Sequence, residues 1–92
     1  MEIEVLERRP YRHFKGKLYY VHAVTEHTET REMYVSYQAL YPPYGMYLRN
    51  LEDFTAEIDV NREGNVTHQS HRFELYDGRM DIVKLNTEEG IL

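Results

Sequence analysis

Imidazoles stand at ligand-like separations in two places, His68-Gln-Ser-His71 and His22…His27. A metal reading needs both rings on one side of the backbone. On a strand an odd offset puts them on opposite faces, so neither pair converges without a bulge. With 5 His, 0 Cys and no HExxH word, no metal or other cofactor is expected. Nucleophilic catalysis fares no better, because the serines, Ser36 and Ser70, sit in no G-x-S-x-G elbow. The carboxylate pairs Glu52/Asp53 and Glu88/Glu89 are adjacent residues whose side chains point apart.

Two stretches carry binding chemistry instead. Arg8-Arg9-Pro10-Tyr11-Arg12-His13-Phe14-Lys15-Gly16-Lys17 holds five cations and no acid, so it could grip phosphates while Tyr11 or Phe14 stacks on a base. A second concentration is tyrosine: of 9 in the chain, Tyr34, Tyr37, Tyr41, Tyr44 and Tyr47 fall within fourteen residues. Tyrosine gives amphipathic contact area at low entropic cost. A groove lined by Tyr37, Tyr41 and Tyr47, with Arg49 at its rim, would suit an extended peptide or a small ligand. The alternative is that Tyr37 fills the core while Tyr34 and Tyr44 cover the surface.

Charge arbitrates between these readings. The chain has 11 Lys+Arg against 16 Asp+Glu, a net −5. That sum weakens the long-range attraction on which nucleic-acid and anionic-membrane binders depend. No run of eighteen apolar residues is present, and the start lacks the basic and apolar regions of a signal peptide. A reducing, cytoplasmic setting is the expectation.

The elements that must position these residues read mostly as period two. Leu18–Thr25 is rich in aromatic and β-branched residues and predicts a strand. Glu32–Leu40 predicts the next, with Met33, Val35, Tyr37 and Ala39 on one face and Tyr34, Ser36 and Gln38 on the other. Pro42-Pro43-Tyr44-Gly45 must turn, since neither proline can donate to a ladder. Met46–Arg49 is a short strand. Asn50 then caps one helical turn over Leu51–Phe54, with Asp53 reaching back to the cap. Thr55–Val60 and Val66–Tyr76 predict a hairpin around Asn61–Asn65. Asp77-Gly78 predicts a type I′ turn that pairs Leu75 with Met80 and Phe73 with Ile82. Residues 86–92 should fray. The expectation is an all-β, small SH3-like barrel with one helical turn and an extra C-terminal hairpin. At 92 residues one domain is expected, with a core over 8–76, an extension at 1–7 and a hairpin strand and tail at 77–92.

Several words of the chain also resemble a family. Tyr11-Arg12-His13-Phe14-Lys15-Gly16, His27-Thr28-Glu29-Thr30, Tyr37-Gln38-Ala39-Leu40-Tyr41 and Arg49-x-Leu51-Glu52-x-Phe54 resemble DUF1653, a bacterial family whose pattern reads YRHFKG, H-[ST]-E-T, Y-R-A-L-Y and W-x-R-P-L-x-x-F. Gln38, Tyr47 and Asn50 replace the family's Arg, Trp and Pro, and Pro42-Pro43 replaces Gly-Asp. The first exchange takes one cation from the expected working face. The resemblance implies a small SH3-like barrel in a bacterial cytoplasm and implies no activity. Within its words, His13 and Glu29 are expected to pair, pinning the first strand to the first hairpin rather than acting as a base. Tyr11, His13, His27, Glu29, Tyr41 and Arg49 are polar or amphipathic, and at least four are expected in one patch. Left unpaired, such groups cost stability, so they must satisfy one another or face a ligand. The functional expectation is a binding module rather than an enzyme, with a peptide or protein as partner and nucleic acid as the alternative.

Overall fold

The computed structural model describes residues 4–77. Its strands are β1 (Arg9–His13), β2 (Leu18–Glu26), β3 (Met33–Ala39), β4 (Met46–Asn50) and β5 (Phe73–Leu75), with a single turn of helix, α1 (Leu51–Phe54), after β4. The strands form one antiparallel sheet in the order β4-β3-β2-β1-β5, a small all-β fold. Gly78 of the expected type I′ turn, the residues Met80 and Ile82 expected to pair with Leu75 and Phe73, and the fraying end lie outside the described residues.

β1 contains Pro10 although it is an interior strand. The Pro10 carbonyl accepts from Tyr76 N–H at 3.0 Å, so its missing N–H faces the β5 side, just beyond the three residue pairs of that ladder. The ladder to β2 is therefore complete from Arg9 to Arg12. Gly16, at φ +104°, makes the turn into β2, a conformation that a Cβ would strain. Within β2 the register slips between Val21 and Ala23, leaving His22 as the extra residue of a bulge. β3 alternates as its sequence predicts: Val35, Tyr37 and Ala39 are buried, whereas Tyr34, Ser36 and Gln38 are half-buried on the opposite face.

Tyr11, Val21, Val35, Tyr37, Phe54 and Phe73 form the core, with Val5, Tyr19, Val24 and Leu51 packed against it. Phe73 on the edge strand β5 lies 5.4 Å from Tyr37 on β3, ring centre to ring centre. In a flat sheet three strand spacings of about 4.8 Å would separate those strands. The sheet is therefore curled, and α1 seals it: Phe54 stacks on Phe73 at 4.1 Å with planes 3° apart.

Two expectations fail between α1 and β5. Only one bridge, Glu57 to His71, represents the predicted hairpin of 55–60 with 66–76, and the second strand shortens to Phe73–Leu75. Side-chain amides replace the ladder. Buried Asn65 donates through Nδ2 to the carbonyls of Asp59 and Gln69 at 3.1 and 2.9 Å, and its Oδ1 accepts from Gln69 N–H at 3.0 Å. Gln69 Nε2 in turn donates to the carbonyls of Arg12 and His71. Asn50 does cap α1, accepting from Glu52 N–H at 2.8 Å. Asp53 does not reach back to it, because two arginines hold its carboxylate.

Candidate functional site

The curl brings the tyrosines of β2, β3 and β4 together around Tyr19. Tyr37, Tyr41, Tyr47 and Phe73 lie 5.5, 5.5, 6.4 and 5.6 Å from its ring, and all four meet it edge-on. Edge-to-face contact sets the positive rim of one ring against the negative face of the next. The Tyr19 hydroxyl is 2.5 Å from that of Tyr41. Burial, and then this hydrogen bond, push the Tyr19 hydroxyl's pKa up, so it stays protonated. Lys17 Nζ covers the outer side of Tyr41 at 4.6 Å. Tyr47 keeps 46% of its surface exposed although it packs on Tyr37 at 5.7 Å.

Arg49 enters this cluster from β4. Its Nε donates to the Tyr37 hydroxyl at 3.1 Å and its Nη1 to Asp53 at 2.5 Å, while its guanidinium lies 5.7 Å from the centre of the Phe73 ring. Burial works against the Arg49 charge, but the bonds to Tyr37 and Asp53 more than offset it and raise its pKa. Arg72, just before β5, approaches the other oxygen of the same carboxylate at 3.4 Å and donates from Nε to the Asp53 carbonyl at 3.0 Å.

His13 completes the group at the end of β1. It stacks on Phe14 at 4.3 Å and meets Phe73 edge-on at 4.9 Å. Its Nδ1 accepts from Lys15 N–H at 3.1 Å, which leaves the proton on Nε2. Burial, together with the charges of Arg49, Lys15, Arg72 and Arg62, lowers its pKa to about 4. At neutral pH His13 is an uncharged donor among cations.

Of the six residues expected in one patch, His13, Tyr41 and Arg49 gather around Tyr19 and Phe73. Tyr11 is in the core, its ring against Phe54 and its hydroxyl accepting from Leu6 N–H at 2.8 Å. His27 and Glu29 stand in the β2–β3 loop, where His27 Nδ1 accepts from Glu29 N–H and Thr30 N–H. His27 shapes that turn, and the partner of His13 is the Lys15 amide rather than the Glu29 carboxylate. Arg72 and Asp53 are members that residue-by-residue reading missed. Arg49 and Asp53 do stand at an i,i+4 spacing, a signal of pairing across the start of α1.

Residues 9–75 match the family described as protein of unknown function (DUF1653). The chain belongs to the DUF1653 family. No curated relative and no solved structure matches it. Three of the four words that carried the resemblance to DUF1653 contribute to this side-chain cluster, through His13, Tyr37 with Tyr41, and Arg49. The exchange at Gln38 leaves it intact, contrary to expectation. Gln38 is on the far face of β3, where its Oε1 meets His22 Nε2 at 2.9 Å and its Nε2 donates to the Tyr44 carbonyl.

The other histidine candidates have local partners. His68 Nδ1 lies 3.2 Å from the Val60 carbonyl, and His71 Nδ1 lies 3.1 Å from Ser70 Oγ. Glu74 joins that last pair, 3.1 Å from Ser70 Oγ and 3.5 Å from His71 Nδ1, which assembles a Ser-His-Glu set. A relay needs serine and acid on opposite ring nitrogens. Here both face Nδ1, and the same Glu74 oxygen accepts from the Ser70 and His71 amides, so Glu74 caps a turn. Among the described residues no helix is long and apolar enough to cross a membrane.

Proposed function

We propose that this DUF1653 chain is a single-domain, non-catalytic binding module of the bacterial cytoplasm that holds a peptide or protein segment on the face made by Tyr19, Tyr41, Tyr47, His13 and Arg49. One observation carries the reading. Tyr47 leaves nearly half its surface in solvent beside a half-buried guanidinium, although a ring that served packing alone would be covered. Leu40 and Tyr44, 46% and 53% exposed, carry further apolar surface on the turn before β4, whereas Met46 and Leu48 alternate with Tyr47 and share the other face with Gln38 and Ser36. An exposed aromatic ring next to fixed polar groups is a usual composition of a peptide-binding surface. The nucleic-acid alternative loses its stacking platform, since Tyr11 and Phe14 are 4% and 1% exposed.

Selection of displayed random peptides on the immobilised protein tests the proposal. Enrichment of a common motif, lost with Tyr47→Ala but kept with an exposed-loop change such as Thr28→Ala, supports it. Failure to enrich, or enrichment indifferent to Tyr47→Ala, overturns it.

A further inference from the structure

The charge around His13 runs against the charge of the whole chain. The protein carries a net −5, yet Arg49, Arg72, Arg62 and Lys15 all act on this one imidazole. Asp53 is the carboxylate that answers them, and it is spent on Arg49 and Arg72. Among the described residues neither Arg62 nor Lys15 has a carboxylate within ion-pair distance; the Arg62 guanidinium lies instead 4.7 Å from the centre of the Phe14 ring. Concentrating cations without counter-ions costs folding free energy, so such a cluster calls for an anion supplied from outside.

The hydrogen-bond count points the same way. Arg49 uses Nε and Nη1, and Arg72 uses Nε and Nη2. Each keeps its remaining terminal nitrogen, and His13 keeps Nε2–H, with no protein acceptor among the described residues. The three groups are grouped closely: His13 and Arg49 share the Phe73 ring, and Arg49 and Arg72 share Asp53. Unspent donors with fixed positions match an oxyanion that has several acceptor oxygens.

From this arrangement we propose that His13, Arg49 and Arg72, assisted by Arg62 and Lys15, form a binding site for a phosphate monoester, whose organic body lies against Tyr47. The inference rests on the proposed ligand face and names the chemistry that face reads. Four cations less one carboxylate favour a dianion over a carboxylate. His13, held neutral, donates from Nε2 without adding a charge that would need its own counter-ion.

The probe is phenyl phosphate, titrated into isotopically labelled protein, with inorganic phosphate and phenylacetate as parallel arms. Phenyl phosphate should give saturable shifts at His13 and at the Arg49 Nε–H below about 10 mM and raise the His13 pKa, because a bound anion favours imidazolium. Arg62→Gln, an exposed change that leaves the Asp53 bridge intact, should weaken binding roughly fivefold, and Arg72→Gln roughly tenfold or more. Inorganic phosphate binding as tightly as phenyl phosphate supports the phosphate site and assigns it to the free ion. Phenylacetate binding as tightly as phenyl phosphate overturns the dianion, as does binding indifferent to Arg62→Gln. If no probe gives saturable shifts, the site is overturned. A selected uncharged peptide that still binds through Tyr47 would then leave the ligand face standing.

Discussion

Arg49 and Arg72 come from opposite edges of the sheet and take opposite oxygens of one carboxylate, that of Asp53. The bridge fastens β4 and α1 to the start of β5 at the point where the curled sheet meets itself. It also fixes two guanidinium planes beside His13 and Phe73. Closure of the fold and construction of the site are one event.

Asp53→Asn should therefore lower stability and disorder the site together. The carboxylate is 46% exposed, so solvent screens it and the loss should be about 1 kcal/mol in urea unfolding. The difference from the wild type should shrink as salt is added. An unchanged Arg49 Nε–H resonance in the variant would show that the bridge orders nothing.

The His13 pKa, lowered from 6.5 to about 4, sets a pH dependence with a definite sign. Between those values the unfolded chain holds a proton that the folded protein does not. Stability should fall as pH drops through that window and level off below about 4. His13→Gln should flatten that part of the profile, measured as urea midpoint against pH. A wild-type profile as flat as the variant's would contradict the assignment.

Asn65 replaces strand pairing over the 59–69 loop, and alanine there leaves two carbonyls and one amide without their partner. Asn65→Ala should cost about 3 kcal/mol. Hydrogen exchange should accelerate at Gln69, whose amide bonds to Asn65 Oδ1, before it accelerates in β2 and β3.

Much of this was legible in sequence and some was not, for local reasons. β2, β3 and β4 followed from alternation and from the Pro42-Pro43 break, and α1 from the Asn50 cap. The 55–72 segment misled because Ile58, Val60 and Val66 alternate like strand residues, while the decisive groups are the Asn65 and Gln69 amides. A buried amide has no periodic signature. Within the site, Arg49, His13 and Tyr41 stood out by type, whereas Arg72 and Tyr19 depend on the curl that brings β5 and β2 to them. His27 and Glu29 fall instead in the loop that joins the paired strands β2 and β3.

Gly45 offers a change that moves the ligand face without touching the core. A Cβ there would come within 2.7 Å of the Tyr47 hydroxyl and 3.0 Å of its Cζ, so the 46% exposed ring must shift. Gly45→Ala should leave the unfolding midpoint near that of the wild type and weaken binding of a selected peptide roughly fivefold. Equal affinity would mean that the position of the Tyr47 ring is irrelevant to the ligand.

The most direct test of the central claim is a chemical-shift map of the labelled protein titrated with a peptide selected on it. The account predicts that the largest shifts fall on Tyr19, Tyr41, Tyr47, the Arg49 Nε–H and the His13 ring, and that Tyr47→Ala abolishes them. Shifts centred on the His27–Glu32 loop or on the far face of β3 around Gln38, with the Tyr47 ring unmoved, would contradict it.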